Sequence, residues 1–137
     1  MPDPRVEKLA QVLVRYSLSL QEGQLFRIAS PAAAAPLVRE LVKEALLVGA
    51  HPITRITLEG IDEVLYKYGS DAQIRYVPAV ARQEVEDIDA TISILASENT
   101  RALSGADPQK VAARRQAMRD IQQRVMERAA EDKLNWC

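Results

Sequence analysis

Glu98, Asn99 and Arg101 are the polar side chains of this sequence best placed to touch a ligand. They stand in the run ASENTRALSGADP, residues 96–108, after an apolar β-branched stretch (residues 90–95) and before a long helical pattern opened by Asp107 and Pro108. If the apolar stretch is a strand of an α/β sheet, the run is the loop at its carboxyl end, where such sheets bind ligands. A carboxylate, an amide and a guanidinium there could grip a small ligand or a neighbouring domain. The plainer alternative is that they only shape a turn, with Asn tolerating left-handed backbone.

Other chemistries find less support. A catalytic zinc site takes about three protein ligands, usually including histidine, and the chain has one histidine, His51, before Pro52. Its plain reading is a loop-end residue that packs on or caps the preceding helix. There is no H-E-x-x-H, no cysteine pair and no G-x-S-x-G. Cys137 is the last residue, too frayed a position for a nucleophile. Neither glycine-rich phosphate motif occurs. Pro31 and Pro36, after the first predicted strand, remove N–H donors that a phosphate cradle would use. Lys110, Arg114, Arg115, Arg119, Arg124 and Arg128 make the last helix basic, but Asp120, Glu127, Glu131 and Asp132 interleave. The i, i+4 spacings of Asp120 with Arg124 and of Arg128 with Asp132 predict a solvated, ion-paired face.

The elements that would position these residues alternate along the chain. Asp3 caps a helix with Pro4 at its first position. Val6, Leu9, Ala10, Leu13 and Leu20 mark its apolar side, and Gly23 ends it. A strand is predicted over residues 25–29. The next helix, delayed or kinked by Pro36, has Leu37, Val38, Leu41, Val42, Ala45 and Leu46 on one face and closes at Gly49. Residues 53–58 form the second strand and residues 61–68 a short helix. Ser70 and Gln73 have capping-box spacing, and a further helical stretch runs over residues 79–87. Residues 90–95 form the third strand. The last helix extends to about Glu131, with Val111, Met118, Ile121, Val125 and Ala129 buried, and residues 134–137 begin a fourth strand. Strands separated by helices imply crossover connections, a largely parallel sheet and helices on both faces. The predicted fold is therefore a single three-layer α/β domain with about four short strands.

Composition bounds the function. The 137 residues suit one domain, and 47% hydrophobic with 27% charged residues fits a globular protein. Eighteen Lys and Arg against nineteen Asp and Glu give a formal net charge of −1, which gives no reason to expect nucleic-acid binding. No run approaches the ~20 apolar residues of a membrane span, and the opening residues lack the apolar segment of a signal peptide. One cysteine excludes an internal disulfide and suits the cytoplasm.

ENTRALSGADPQKV (residues 98–111), the Arg-rich helix after it and Asn135-Trp136 together resemble the N-terminal domain of the thermophilic-type leucine aminopeptidases, the metallopeptidase family of aminopeptidases T and S. The residues from Asp3 to Ala10 resemble that family's opening helix, and Gln21-Glu22-Gly23-Gln24 its turn into the first strand. Gly49-Ala50-His51-Pro52 is similar to its second helix-to-strand junction. The resemblance thus spans the chain. It implies an N-terminal α/β domain packed over a C-terminal domain in which glutamates, histidines and an aspartate hold two metal ions, zinc or cobalt. Those ligands all fall beyond Cys137. No catalytic or metal-binding residue is therefore carried across, and His51 matches a family position that is not a ligand.

What the resemblance implies for this chain is a supporting role: shaping access of a peptide substrate and contributing dimer contacts, inactive alone. The chain reaches Cys137 inside a predicted strand, so residues 1–137 are expected to be one domain lacking the catalytic C-terminal one and to self-associate through exposed apolar surface or strand edge. An alternative of another class is a stand-alone, non-catalytic α/β binding module that uses the loop over residues 97–104.

Overall fold

A computed structural model describes residues 3–95 and 105–137. Helix α1 (Pro4–Val12) starts where Asp3 accepts a hydrogen bond from the Arg5 N–H at 2.8 Å. It continues into a π-helical turn, Leu13–Ser17, which the sequence pattern does not announce. The chain leaves helical geometry well before Gly23; Ala10, Val14 and Leu18 are buried at four-residue spacing, Leu20 is buried beyond them, and Leu9 is half exposed. Strand β1 (Leu25–Pro31) follows, then a 3-10 turn (Ala32–Ala34) and helix α2 (Ala35–Leu47). Pro36 falls in the first turn of α2, where its missing N–H has no helical partner to lose.

Strand β2 (His51–Thr57) begins two residues earlier than predicted and contains Pro52. The His51 N–H already donates to the Gln24 carbonyl at 2.8 Å. Because β2 is an edge strand, Pro52 can direct its donorless nitrogen to the open side, where proline is tolerated. Helices α3 (Ile61–Tyr68), α4 (Asp71–Arg75) and α5 (Ala79–Asp87) lead to β3 (Ala90–Ser93). The predicted capping box starts α4: Ser70 Oγ accepts from the Gln73 N–H at 3.2 Å, and Gln73 Oε1 from the Ser70 N–H at 2.9 Å. Strand β3 is two residues shorter than predicted, although the Ile94 N–H still donates to the Ala29 carbonyl. Helix α6 (Pro108–Ala130) is capped by Asp107, which accepts from the Gln109 N–H, and β4 (Asn135–Trp136) completes the order.

The sheet is parallel throughout, in the order β2-β1-β3-β4. Phe26 and Ile28 of β1, with Ala90 and Ile92 of β3, point to one face. There they close a core with Ala10, Val14 and Leu18 of the first helix and Val38, Leu41 and Ala45 of α2. Leu46, predicted for that apolar face, is exposed, while Glu40 and Glu44 of α2 are buried. Their charges are met: Glu44 by Arg15 at 3.1 Å and Glu40 by Lys43 at 2.8 Å.

Arg27 and Thr91 alternate with those core residues and reach the other face, where Arg27 donates to Thr91 Oγ1 at 3.1 Å and to Glu84 of α5 at 3.1 Å. Helices α4 and α5 pack against α6, and Ile74, Val85, Ile88, Ala113, Ile121 and Leu134 are buried. Three layers result. Of the five residues predicted to be buried on α6, only Ile121 is fully so. Val111, Met118, Val125 and Ala129 are partly covered, and Arg128 is buried in their stead.

Candidate functional site

Strand order places the candidate site. The chain leaves β1 towards β2 and β3 towards β4, in opposite directions from adjacent strands. The carboxyl ends of β1 and β3 therefore flank a topological switch point, where open α/β sheets form their ligand crevice. Strand β3 ends there, at Ser93. Glu98, Asn99 and Arg101, predicted there as ligand or interdomain contacts, lie outside the described residues, as do the other residues of 96–104.

The described walls of the crevice offer little reactive chemistry. Ser30 is buried and its hydroxyl donates to the Pro31 carbonyl at 2.8 Å. Ser93 and Thr57 end their strands as exposed hydroxyls, and the Cys137 carbonyl accepts from the Ser93 N–H. No histidine stands beside them. His51 is the first residue of β2, in register with Leu25 at the amino edge of the sheet, and its side chain is exposed. The expectation of a packed or capping loop histidine is corrected accordingly: pairing to Gln24 draws His51 into the strand.

The basic face predicted for α6 is also reorganised. Arg128 does not pair with Asp132. Its guanidinium donates to the carbonyls of Val85 at 2.8 Å, Ile88 at 2.6 Å and Lys133 at 3.2 Å, tying α6 to the end of α5. Arg114 donates to the carbonyls of Ile74 and Tyr76, and Lys110 to that of Tyr66. Arg124 pairs with Glu86 across the helix interface and with Glu127, not with Asp120. The Arg124 guanidinium holds the Glu86 carboxyl below its usual range, and the same hydrogen bonds raise the guanidinium further. On the opposite layer, the carboxylates of Glu40 and Glu7 hold the Lys43 ammonium above its ordinary value. Glu84 bridges Arg27 and Arg55 across two strands.

Sequence reasoning missed the tethering role of Arg128. Its spacing of seven from Ile121 puts both on one side of the helix, and that was the available signal.

The family model for thermophilic metalloproteases (M29) matches residues 2–137. The chain belongs to this family. Among similar proteins, Aminopeptidase 2 of Geobacillus stearothermophilus is 25% identical over 114 residues, covering 80% of this chain and 28% of the relative. The solved structure of wild-type AmpT from Thermus thermophilus superposes with a TM-score of 0.78 at 25% identity, over 96% of this chain and 34% of that one. The chain therefore spans about a third or less of the length of these relatives. The metal chemistry in the family's description finds no counterpart among the described residues, where no group of three or more His, Cys, Asp or Glu side chains could hold an ion. His51 stands alone at the far edge of the sheet. Among the described residues no helix is long and apolar enough to cross a membrane.

Proposed function

We propose that this chain acts as the N-terminal, non-metal-binding domain of an M29 aminopeptidase. It shapes the approach of a peptide substrate to divalent metal ions, zinc or cobalt, held by residues outside this sequence, and it contributes dimer contacts. The carrying observation is that the family match covers residues 2–137 while the described residues offer no donor set for a metal. The crevice at the ends of β1 and β3 supports the same reading, because its described walls hold hydroxyls and backbone but no general base. In this role the loop over residues 96–104 contacts substrate or the metal-holding domain, through Glu98, Asn99 and Arg101. Exposed Trp136 on β4 and the open edge of β2 favour self-association. The cytoplasm is its expected compartment.

The purified chain, given zinc or cobalt and a leucyl-anilide substrate, is expected to release no product above the metal-only background. Metal-dependent turnover at enzyme-like rates would overturn the assignment.

A further inference from the structure

Helices α5 and α6 run side by side, joined at Glu86 and Arg124 and again where Arg128 meets the carbonyls of Val85 and Ile88. One turn earlier on each helix stand Arg82 and Asp120, on opposite sides of the same groove. The Glu86–Arg124 pattern would lead one to expect a second bridge here. Yet neither Arg82 nor Asp120 makes an ion pair or side-chain hydrogen bond among the described residues, and both are exposed.

The space between the helices therefore stays open. It is a half-open groove of about 390 Å³. Its floor is apolar, with Val85 and Ile121 buried beneath it. A guanidinium and a carboxylate that both line an apolar-floored groove and have no partner among the described residues are complementary to a ligand carrying both charges and an apolar group.

We propose that this groove binds a free apolar α-amino acid. The ligand's carboxylate accepts hydrogen bonds from the Arg82 guanidinium and its ammonium donates to the Asp120 carboxylate. Its side chain lies over Val85 and Ile121. Glu86 and Arg124, already paired with each other, close one end of the groove and offer no competing free charge. Every residue lining the groove belongs to α5 or α6, and the proposal does not depend on where catalysis occurs.

Nuclear magnetic resonance titration of the 137-residue chain with L-leucine tests this. The methyl resonances of Val85 and Ile121 are expected to shift saturably at millimolar leucine. N-acetyl-leucine, which lacks the ammonium, and 3-methylbutylamine, which lacks the carboxylate, should each bind about tenfold more weakly or worse. Arg82→Gln and Asp120→Asn alter exposed side chains outside the core and should each weaken leucine binding by a similar factor, with the remaining amide spectrum unchanged. No saturable shift, equal binding of the acid or the amine alone, or unchanged affinity in both variants would overturn the proposal. So would a wild-type groove in which Arg82 and Asp120 pair with each other and leave leucine without effect.

Discussion

Phe26 and Arg27 are neighbours in β1, and each anchors a different face of the sheet. Phe26 is fully buried among aliphatic side chains of α1, α2 and β3. Arg27 reaches the opposite face and holds Glu84 and Thr91. The α1–α2 face is stabilised chiefly by apolar area removed from water, with one buried carboxylate, Glu44, met by the part-exposed Arg15. The α5–α6 face adds guanidinium groups donated to helix-end carbonyls, at Arg114 and Arg128. Those carbonyls have no helical N–H to accept from, so an arginine from a neighbouring helix supplies the donors. One face thus tolerates apolar exchange of similar volume, while the other depends on the fork of particular side chains.

The difference can be broken from either side. Phe26→Ala should have the largest effect, destabilising by about 3–5 kcal/mol through lost burial and the cavity left behind, read as a lower urea midpoint. Phe26→Leu should recover much of that loss if shape matters less than apolar volume. Arg128→Met should cost about 2–3 kcal/mol, because the Val85 and Ile88 carbonyls are left buried without a donor. Arg128→Lys should restore little, since a single ammonium cannot reproduce the planar fork. Full rescue by lysine would show that charge alone holds the second face. Ser70→Ala should cost about 1 kcal/mol by removing the cap of α4.

Glu86→Gln should have the smallest effect and the most telling pH dependence. The folded carboxyl titrates below the unfolded value of 4.5 because Arg124 favours its charged form. Its contribution to stability is therefore present above pH 4.5 and lost as pH falls through the lower folded value. The difference in urea midpoint between wild type and Glu86→Gln should be seen at pH 7, disappear in acid and shrink with added salt. A difference that persists in acid would assign the effect to packing rather than charge.

The apolar face was largely legible in the sequence. The first and third strands, the Asp3 and Asp107 caps and the Ser70–Gln73 box all lie in local sequence, and each forms where it was read, with β3 two residues shorter. The π turn at Leu13–Ser17 was not legible, because residues at four-residue spacing suit an α-helix as well. Strand β2 was read as starting two residues late because Pro52 looks like a breaker until the strand is known to be an edge. The arginines of α6 misled for a related reason. Local i, i+4 arithmetic assigned Arg124 and Arg128 to Asp120 and Asp132. Tertiary packing instead brings Glu86 and the end of α5 within reach, about forty residues away in sequence. Of the candidate site, the switch point beside the carboxyl end of β3 follows from strand order, which local sequence does not carry, and Glu98, Asn99 and Arg101 fall outside the described residues.

Both faces are built to hold a sheet, and neither presents a set of side chains able to hold a metal among the described residues. Equilibrium dialysis of the purified chain against micromolar zinc or cobalt, followed by metal analysis of the protein, tests that division of labour most directly. The account predicts no stoichiometric retention of either ion. One or two equivalents held tightly by the folded chain would contradict it and place metal chemistry within these 137 residues.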